Sequence, residues 1–286
     1  MKYKLAVIGA GILLGLIGVL VKLIGDNIPV LTLNFYRLFI GMLFVAAIIP
    51  FFDKETFKIK KKELVGHAIV GALMAAAFTL YMAAMLNAPV TNVALITALY
   101  VVIVPVFAYF ILKEKFSFNL IIAISLALIG LVFMKPLVPK FFSGNILALT
   151  QAFVFAALIV WMRKEEKHPA IGHVFWFFLF ATIFLTPTLF IYGFGNLLAV
   201  WPYVLLLGVL STGLAYALFT YGLQGMDADT SAVLMLVVFP IASIVFAVII
   251  LKEVVSIPVY IGGALILVAG LITVIGVGIK KQYLAH

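Results

Sequence analysis

The chain has no cysteine and very little charge. Without cysteine there can be no disulfide, iron–sulfur cluster, zinc–thiolate site or thiol nucleophile. Charged residues occupy 10% of the 286 positions, against about 25% in an ordinary soluble domain. Ten carboxylates and nineteen basic residues are too few to coat a soluble surface of this size, which excludes both a soluble globular protein and a disordered one. Motifs are missing too. There is no G-x-x-x-x-G-K-[ST] loop for ATP, no H-E-x-x-H, no G-x-S-x-G and no pair of Asp-rich motifs for diphosphate–magnesium chemistry. A membrane-embedded, lipid-modifying enzyme therefore stands only as the alternative reading, and no cofactor or metal is expected.

What the chain has is apolar length. Hydrophobic residues make up 66% of it, in runs of about twenty rather than in alternation, so spanning helices are favoured over a membrane β-barrel. Candidate spans fall at 5–24, 30–52, 64–86, 90–112, 118–136, 144–162, 170–192, 202–224, 230–251 and 258–279. The expected fold is an all-α membrane protein of ten transmembrane helices. The opening MKYK and the apolar run behind it resemble a signal peptide, but Leu5–Ile24 is too long for one and is read as the first retained span. With the N-terminus inside, the inner loops and termini carry fourteen Lys and Arg; the outer loops carry three, Lys135, Lys140 and Lys252. This positive-inside bias predicts a multi-pass protein of the plasma or inner membrane with both termini cytoplasmic. The basic residues lie in short loops and not on one folded face, so the net charge of +9 does not point to nucleic acid. The lipid bilayer and a small-molecule substrate are the expected partners; the sequence leaves the oligomeric state open.

The sequence repeats at an offset of 139 residues. Ile111-Leu112-Lys113-Glu114, with Ser117, recurs as Ile250-Leu251-Lys252-Glu253 with Ser256. Thr91 pairs with Thr230 at the same offset, Asn92 with Ser231, and the spans superpose. The division is 1–139 and 140–286. Five helices per repeat is an odd number, so the second copy enters the membrane from the opposite side. Inverted repeats of this kind recur in secondary transporters, because if one half closes one side its inverted twin can close the other.

The stretches NAPVTNVALITALYVVIVPVFAYFILKEKFS (87–117) and MDADTSAVLMLVVFPIASIVFAVIILKEVVS (226–256) resemble the drug/metabolite transporter superfamily, of the EamA type. The resemblance covers essentially the whole chain. It implies a ten-helix exporter or facilitator of small organic metabolites, often amino acids, with a central cavity and alternating access, and no enzymatic activity. One departure stands out: the residue before Glu, often Gly in the family, is Lys in both copies.

Arg37 is the most informative single residue. It sits roughly 12 Å inside the second span at 1.5 Å per residue, where a charge costs about 2.5–3.5 kcal/mol on insertion scales. It either binds a carboxylate or phosphate bidentately or is satisfied by helix-end carbonyls and snorkelling. Its repeat equivalent is Trp176. Tyr81, Tyr100, Gln151 and Tyr216 place polar groups inside four other spans and are the remaining candidates for a substrate site, with interhelical hydrogen bonding as the other reading. Lys22, Trp161 and Trp176 are candidate gate or vestibule residues. Lys22 can also pair with Asp26 four residues on, and Trp161 can be an interfacial anchor. Pro105, Pro187 and Pro240 can kink their helices. Gly11, Gly15 and Gly18 form a small-residue stripe suited to close packing. Asp227 and Asp229 suit the cap of the ninth span. His67 and His173 each read as a lone structural residue.

Overall fold

A computed structural model describes residues 1–52, 63–114, 118–134, 139–164, 171–226 and 228–284. Lys54, Lys58, Lys60, Lys61, Lys62, Lys115, Ser117, Lys135, Lys167 and Asp227, on which part of the charge and motif reading rests, lie outside the described residues. The described chain forms ten helical spans: α1 (Lys2–Asn27), α2 (Val30–Phe52), α3 (Leu64–Asn87), α4 (Val90–Leu112), α5 (Phe118–Phe133), α6 (Phe142–Lys164), α7 (Ile171–Tyr192), α8 (Leu197–Leu223), α9 (Ala228–Ile250) and α10 (Ile257–Leu284). All but α5 are long and apolar enough to cross a bilayer by themselves; α5 is a shorter apolar helix. Helices satisfy their own backbone groups, which is what hydrocarbon demands. We call the face where α1 begins the N-terminal face and its opposite the far face.

The packing carries the inverted repeat. Helix α1 packs on α8 and α9, and its counterpart α6 packs on α3 and α4. Helix α2 packs on α8, and its counterpart α7 packs on α3. The pairs α2–α7, α4–α9 and α5–α10 map onto themselves when each helix is exchanged for the one five further along. The two halves are thus interleaved rather than separate bodies. One bundle is built around α1, α8 and α9, and the other around α6, α3 and α4. The glycine stripe serves this packing: a Cβ on Gly15 would stand 2.6 Å from Ala242 Cβ and 2.9 Å from the Ser243 amide of α9. With no side chain there, the two backbones approach closely enough for dispersion to hold them.

Three spans are not continuous α-helices. Helix α1 tightens at Leu16, whose amide donates to the Leu13 carbonyl at 3.3 Å. Helix α4 is split into Val90–Thr97 and Tyr100–Leu112 by a tight turn at Ala98 and Leu99. The Thr97 hydroxyl donates to the Ala94 carbonyl at 3.1 Å, and Pro105 withholds an amide downstream; both weaken the helical ladder there. Helix α8 carries a π-helical turn at Val209–Leu214. Helices α7 and α9 run unbroken through Pro187 and Pro240.

The two Ile-Leu-Lys-Glu segments end α4 and α9 in the same way. Lys113 has φ 60° and Lys252 φ 56°, the left-handed conformation that favours glycine at a helix end. Glu114 and Glu253 then donate their amides back to the Ala108 and Ala247 carbonyls at 3.3 and 3.2 Å. The site of the family's frequent glycine is therefore a positive-φ helix stop. Replacing Lys252 by Gly removes the Cβ clash, and we expect Lys252→Gly to raise stability by about 0.5–1 kcal/mol in detergent melting. A loss of stability would contradict this account of the turn.

Candidate functional site

The π-turn of α8 and the middle of α2 meet at Arg37. Two glycines let the helices touch: a Cβ on Gly208 would lie 2.5 Å from Ile40 Cβ, and one on Gly41 would lie 2.8 Å from Thr212 Cγ2. Arg37 is 1% exposed, so snorkelling does not describe it. Its Nε donates to Thr212 Oγ1 at 2.8 Å, and Nη1 reaches Met82 Sδ at 3.8 Å. Its guanidinium carbon lies 4.4 Å from the centre of the Phe78 ring, a favourable cation–π geometry. No described residue bonds Nη2 and no described carboxylate pairs with the charge. Thr212 in turn donates to the Leu207 carbonyl, five residues back, at 2.8 Å. The π-turn thus orients the one hydroxyl that accepts from Arg37, in keeping with the frequent placement of such turns at functional sites.

The helix carrying Arg37 is held on two sides. Asn34 donates to the Ala75 carbonyl and to Thr79 Oγ1 of α3 at 3.0 and 2.8 Å. Thr32 and Tyr36 donate to the Gly193 and Phe194 carbonyls at 2.9 and 3.1 Å. These bonds fix the height and rotation of α2, and so the position of the charge.

The sequence-predicted tyrosines gather around this charge. Tyr81 and Tyr216 lie within electrostatic reach of the guanidinium, and Tyr100 lies within reach of Tyr216. Tyr216 packs edge-on against Phe178 at 5.3 Å and tilts against Phe78 at 6.1 Å. Tyr81 faces Phe239 at 6.3 Å and Tyr100 meets Phe155 edge-on at 5.0 Å. The Tyr81 hydroxyl is buried beside Ser243, outside good hydrogen-bond geometry, and the Ser243 hydroxyl donates instead to the Phe239 carbonyl at 3.0 Å. Gln151 stands one helical turn from Phe155 on the same face of α6, and its Oε1 is likewise buried and unbonded. No described contact ties Gln151 to Arg37.

The gate candidates lie towards the ends of the spans. Lys22 Nζ donates to the Leu86 carbonyl at 3.4 Å and faces Glu253. The expected pairing with Asp26 is displaced because the α-helix stops at Ile24 and Gly25 turns the chain with φ 56°. Trp161 carries Lys164 Nζ 4.9 Å from its ring centre, and Trp176 packs on Phe175 and Phe180. The indole nitrogens of Trp161 and Trp176 are buried without partners among the described residues.

Two contacts were not legible from spacing. His67 and His173, read singly from the sequence, form a pair: His67 Nε2 lies 2.8 Å from His173 Nδ1, and His67 Nδ1 lies 2.7 Å from the Glu63 carbonyl. Glu253 accepts from the Val90 amide at 2.7 Å, the Thr91 amide at 3.1 Å and the Thr91 hydroxyl at 3.0 Å, so an acid of the second repeat caps a helix of the first.

The EamA-like transporter family model matches this chain twice, over residues 1–135 and 142–275. The chain belongs to the EamA-like transporter family. An uncharacterized transporter of Archaeoglobus fulgidus is 27% identical over 276 residues, covering 95% of this chain and 96% of that protein. A crystal structure of a protein 19% identical superposes with a TM-score of 0.68 over 95% of this chain and 96% of its own, a likeness of fold alone. Membership of this transporter family gives the enclosed charge and its aromatic surround a context.

Thr212 is the testable support of Arg37. Thr212→Val is expected to leave Nε without its acceptor and to lower stability by about 1–3 kcal/mol in detergent melting, with Thr212→Ser close to the parent. Equal melting of Thr212→Val and the parent would remove this contact from the account.

Proposed function

We propose that this protein is a secondary transporter for small organic metabolites that carry a carboxylate and an apolar or aromatic body, with amino acids as the foremost class. The observation that carries this reading is the enclosed guanidinium with no counter-charge among the described residues. A lone buried cation is costly, and a planar guanidinium with an unused terminal nitrogen suits a carboxylate. The rings of Phe78, Phe178 and Tyr216 suit the rest of such a solute. Tyr100 and Tyr216 are partly buried, which leaves surface on each for a solute to meet. Arg37, Tyr81, Tyr100 and Tyr216 form the binding group. Gln151 contributes from α6, one turn from the ring that packs on Tyr100.

The charge has no counterpart in the other repeat, where Trp176 occupies the equivalent position. The site is therefore polar in one direction, as selectivity for an anionic head requires. Transport proceeds by alternating access, with the repeat boundary at 139/140 and the two interleaved bundles as the moving bodies. The N-terminal face is cytoplasmic by the lysine and arginine count, in a plasma or inner membrane. No specific observation favours a lipid-modifying enzyme.

Flux into proteoliposomes tests the reading, with labelled amino acids, sugars and nucleosides, with and without a pH gradient. Arg37→Ala is expected to remain folded and to lower carboxylate flux by on the order of 10–100-fold, the weight of about 1.5–3 kcal/mol for hydrogen bonds to a charged group. Unchanged flux would take Arg37 out of the site. Orientation is tested separately. Val254, 98% exposed on the far face, is expected to label as Val254→Cys with an impermeant maleimide added to intact cells. Labelling only after permeabilisation would invert the topology.

A further inference from the structure

The contacts at the two faces differ in a way the repeat makes readable. At the far face two polar side chains of one bundle bridge to the other. Glu253, which ends α9, accepts three hydrogen bonds from Val90 and Thr91 at the start of α4. Lys22 of α1 donates to the Leu86 carbonyl at the end of α3 and faces Glu253. Subtracting or adding the repeat offset gives the corresponding set at the N-terminal face: Glu114 for Glu253, Thr230 for Thr91, Trp161 for Lys22 and Gly225 for Leu86. Among the described residues these groups do not make the corresponding contacts. Glu114 is exposed and no described residue binds its carboxylate. The Trp161 indole nitrogen is a buried donor without an acceptor among the described residues. The helices agree, because α9 packs on the Val90–Thr97 segment of α4 rather than on the Tyr100–Leu112 segment. The crossing of α4 and α9 is closed towards the far face.

We propose that Glu253 and Glu114 are alternating latches, each holding one face shut by capping the helix that begins opposite it in the other bundle. In this structure Glu253 caps α4 and the far face is closed. In the opposite state Glu253 releases and Glu114 accepts from the Thr230 amide and hydroxyl, while Trp161 donates to the Gly225 carbonyl. A carboxylate at a helix N-terminus gains from several amides and the helix dipole at once, and loses them together when the bundles part. That makes the contact two-state, as a gate requires. The latches are unequal. Lys22 supports the far-face acid, whereas its counterpart is a neutral Trp161. The second latch lacks that supporting cation, so closure of the far face is the resting condition.

This inference rests on the transporter reading, but its test needs no cargo, so a wrong substrate class leaves the result standing. The cysteine-free chain accepts spin labels at will. Cysteines at Asn87 and Val254 report the far face, and cysteines at Val65 and Gln224 report the N-terminal face, by pulsed electron paramagnetic resonance distances in nanodiscs. Glu253→Gln is expected to shift the closed-to-open ratio of the far-face pair about tenfold towards long distances while the N-terminal pair shortens. Adding Glu114→Gln to that variant is expected to reverse most of the shift. Thr91→Val, which removes one of the three bonds and no charge, is expected to move the ratio about threefold in the same direction and serves if Glu253→Gln does not fold. Distance distributions that stay at the parent's while the melting temperature falls would show a static cap and overturn the proposal. A double variant that shifts as far as Glu253→Gln would overturn it equally.

Discussion

A single positive charge held away from water and from every described carboxylate is the interaction on which this structure turns. Arg37 can persist there because its surroundings substitute for solvent: a hydroxyl, a sulfur and an aromatic face occupy three directions around it. None of these neutralises it. Neutral dipoles lower the cost of a buried ion without cancelling its charge, so the site keeps an attraction for an anion that any entering solute meets. The π-turn of α8 follows from this constraint. An ordinary helical turn puts a threonine hydroxyl against the carbonyl three or four residues back; here the wider turn sends it to Leu207, five back, and leaves the oxygen facing Arg37.

The second constraint is the bilayer itself. Nearly every residue is committed to helix because hydrocarbon tolerates no unpaired backbone. Specificity and movement must therefore come from the few places where the helices are interrupted or approach closely. Several of those places lie at the candidate site: the break in α4 lies just before Tyr100, the π-turn contains Thr212, and Gly41 and Gly208 allow α2 to reach α8. Interleaving of the repeats has the same logic. When α1 packs on α8 and α9, and α6 on α3 and α4, each bundle is built from helices of both repeats.

Much of this was written in local sequence. Ten apolar runs, the 139-residue offset and a charge stranded in the second span were enough to expect ten helices, an inverted repeat and Arg37 at the centre. The tyrosines were legible because polar rings inside spans need partners or a cavity. The rest depends on three-dimensional register. Nothing in the spacing says that Thr212 rather than a neighbour meets Arg37, since that choice depends on a π-turn that inserts one residue into α8. The His67–His173 pair joins residues 106 apart, and each looked like an isolated interfacial histidine. Glu253 carried a visible signal, the repeated Ile-Leu-Lys-Glu, but the signal marked family and repeat, not a cap on a helix 162 residues earlier. The lysine before it, a departure from the family's frequent glycine, occupies a left-handed turn.

The most direct measurement is a thermal-shift comparison of purified protein in detergent with matched ligands, an aromatic amino acid, its carboxamide and its decarboxylated amine, against the parent and the Arg37→Ala variant. The account predicts that only the free acid raises the melting temperature of the parent and that it leaves the variant unmoved. Stabilisation of the parent by the carboxamide to the same degree as by the acid would show that no anion is being recognised, and the central role given to the buried guanidinium would fail.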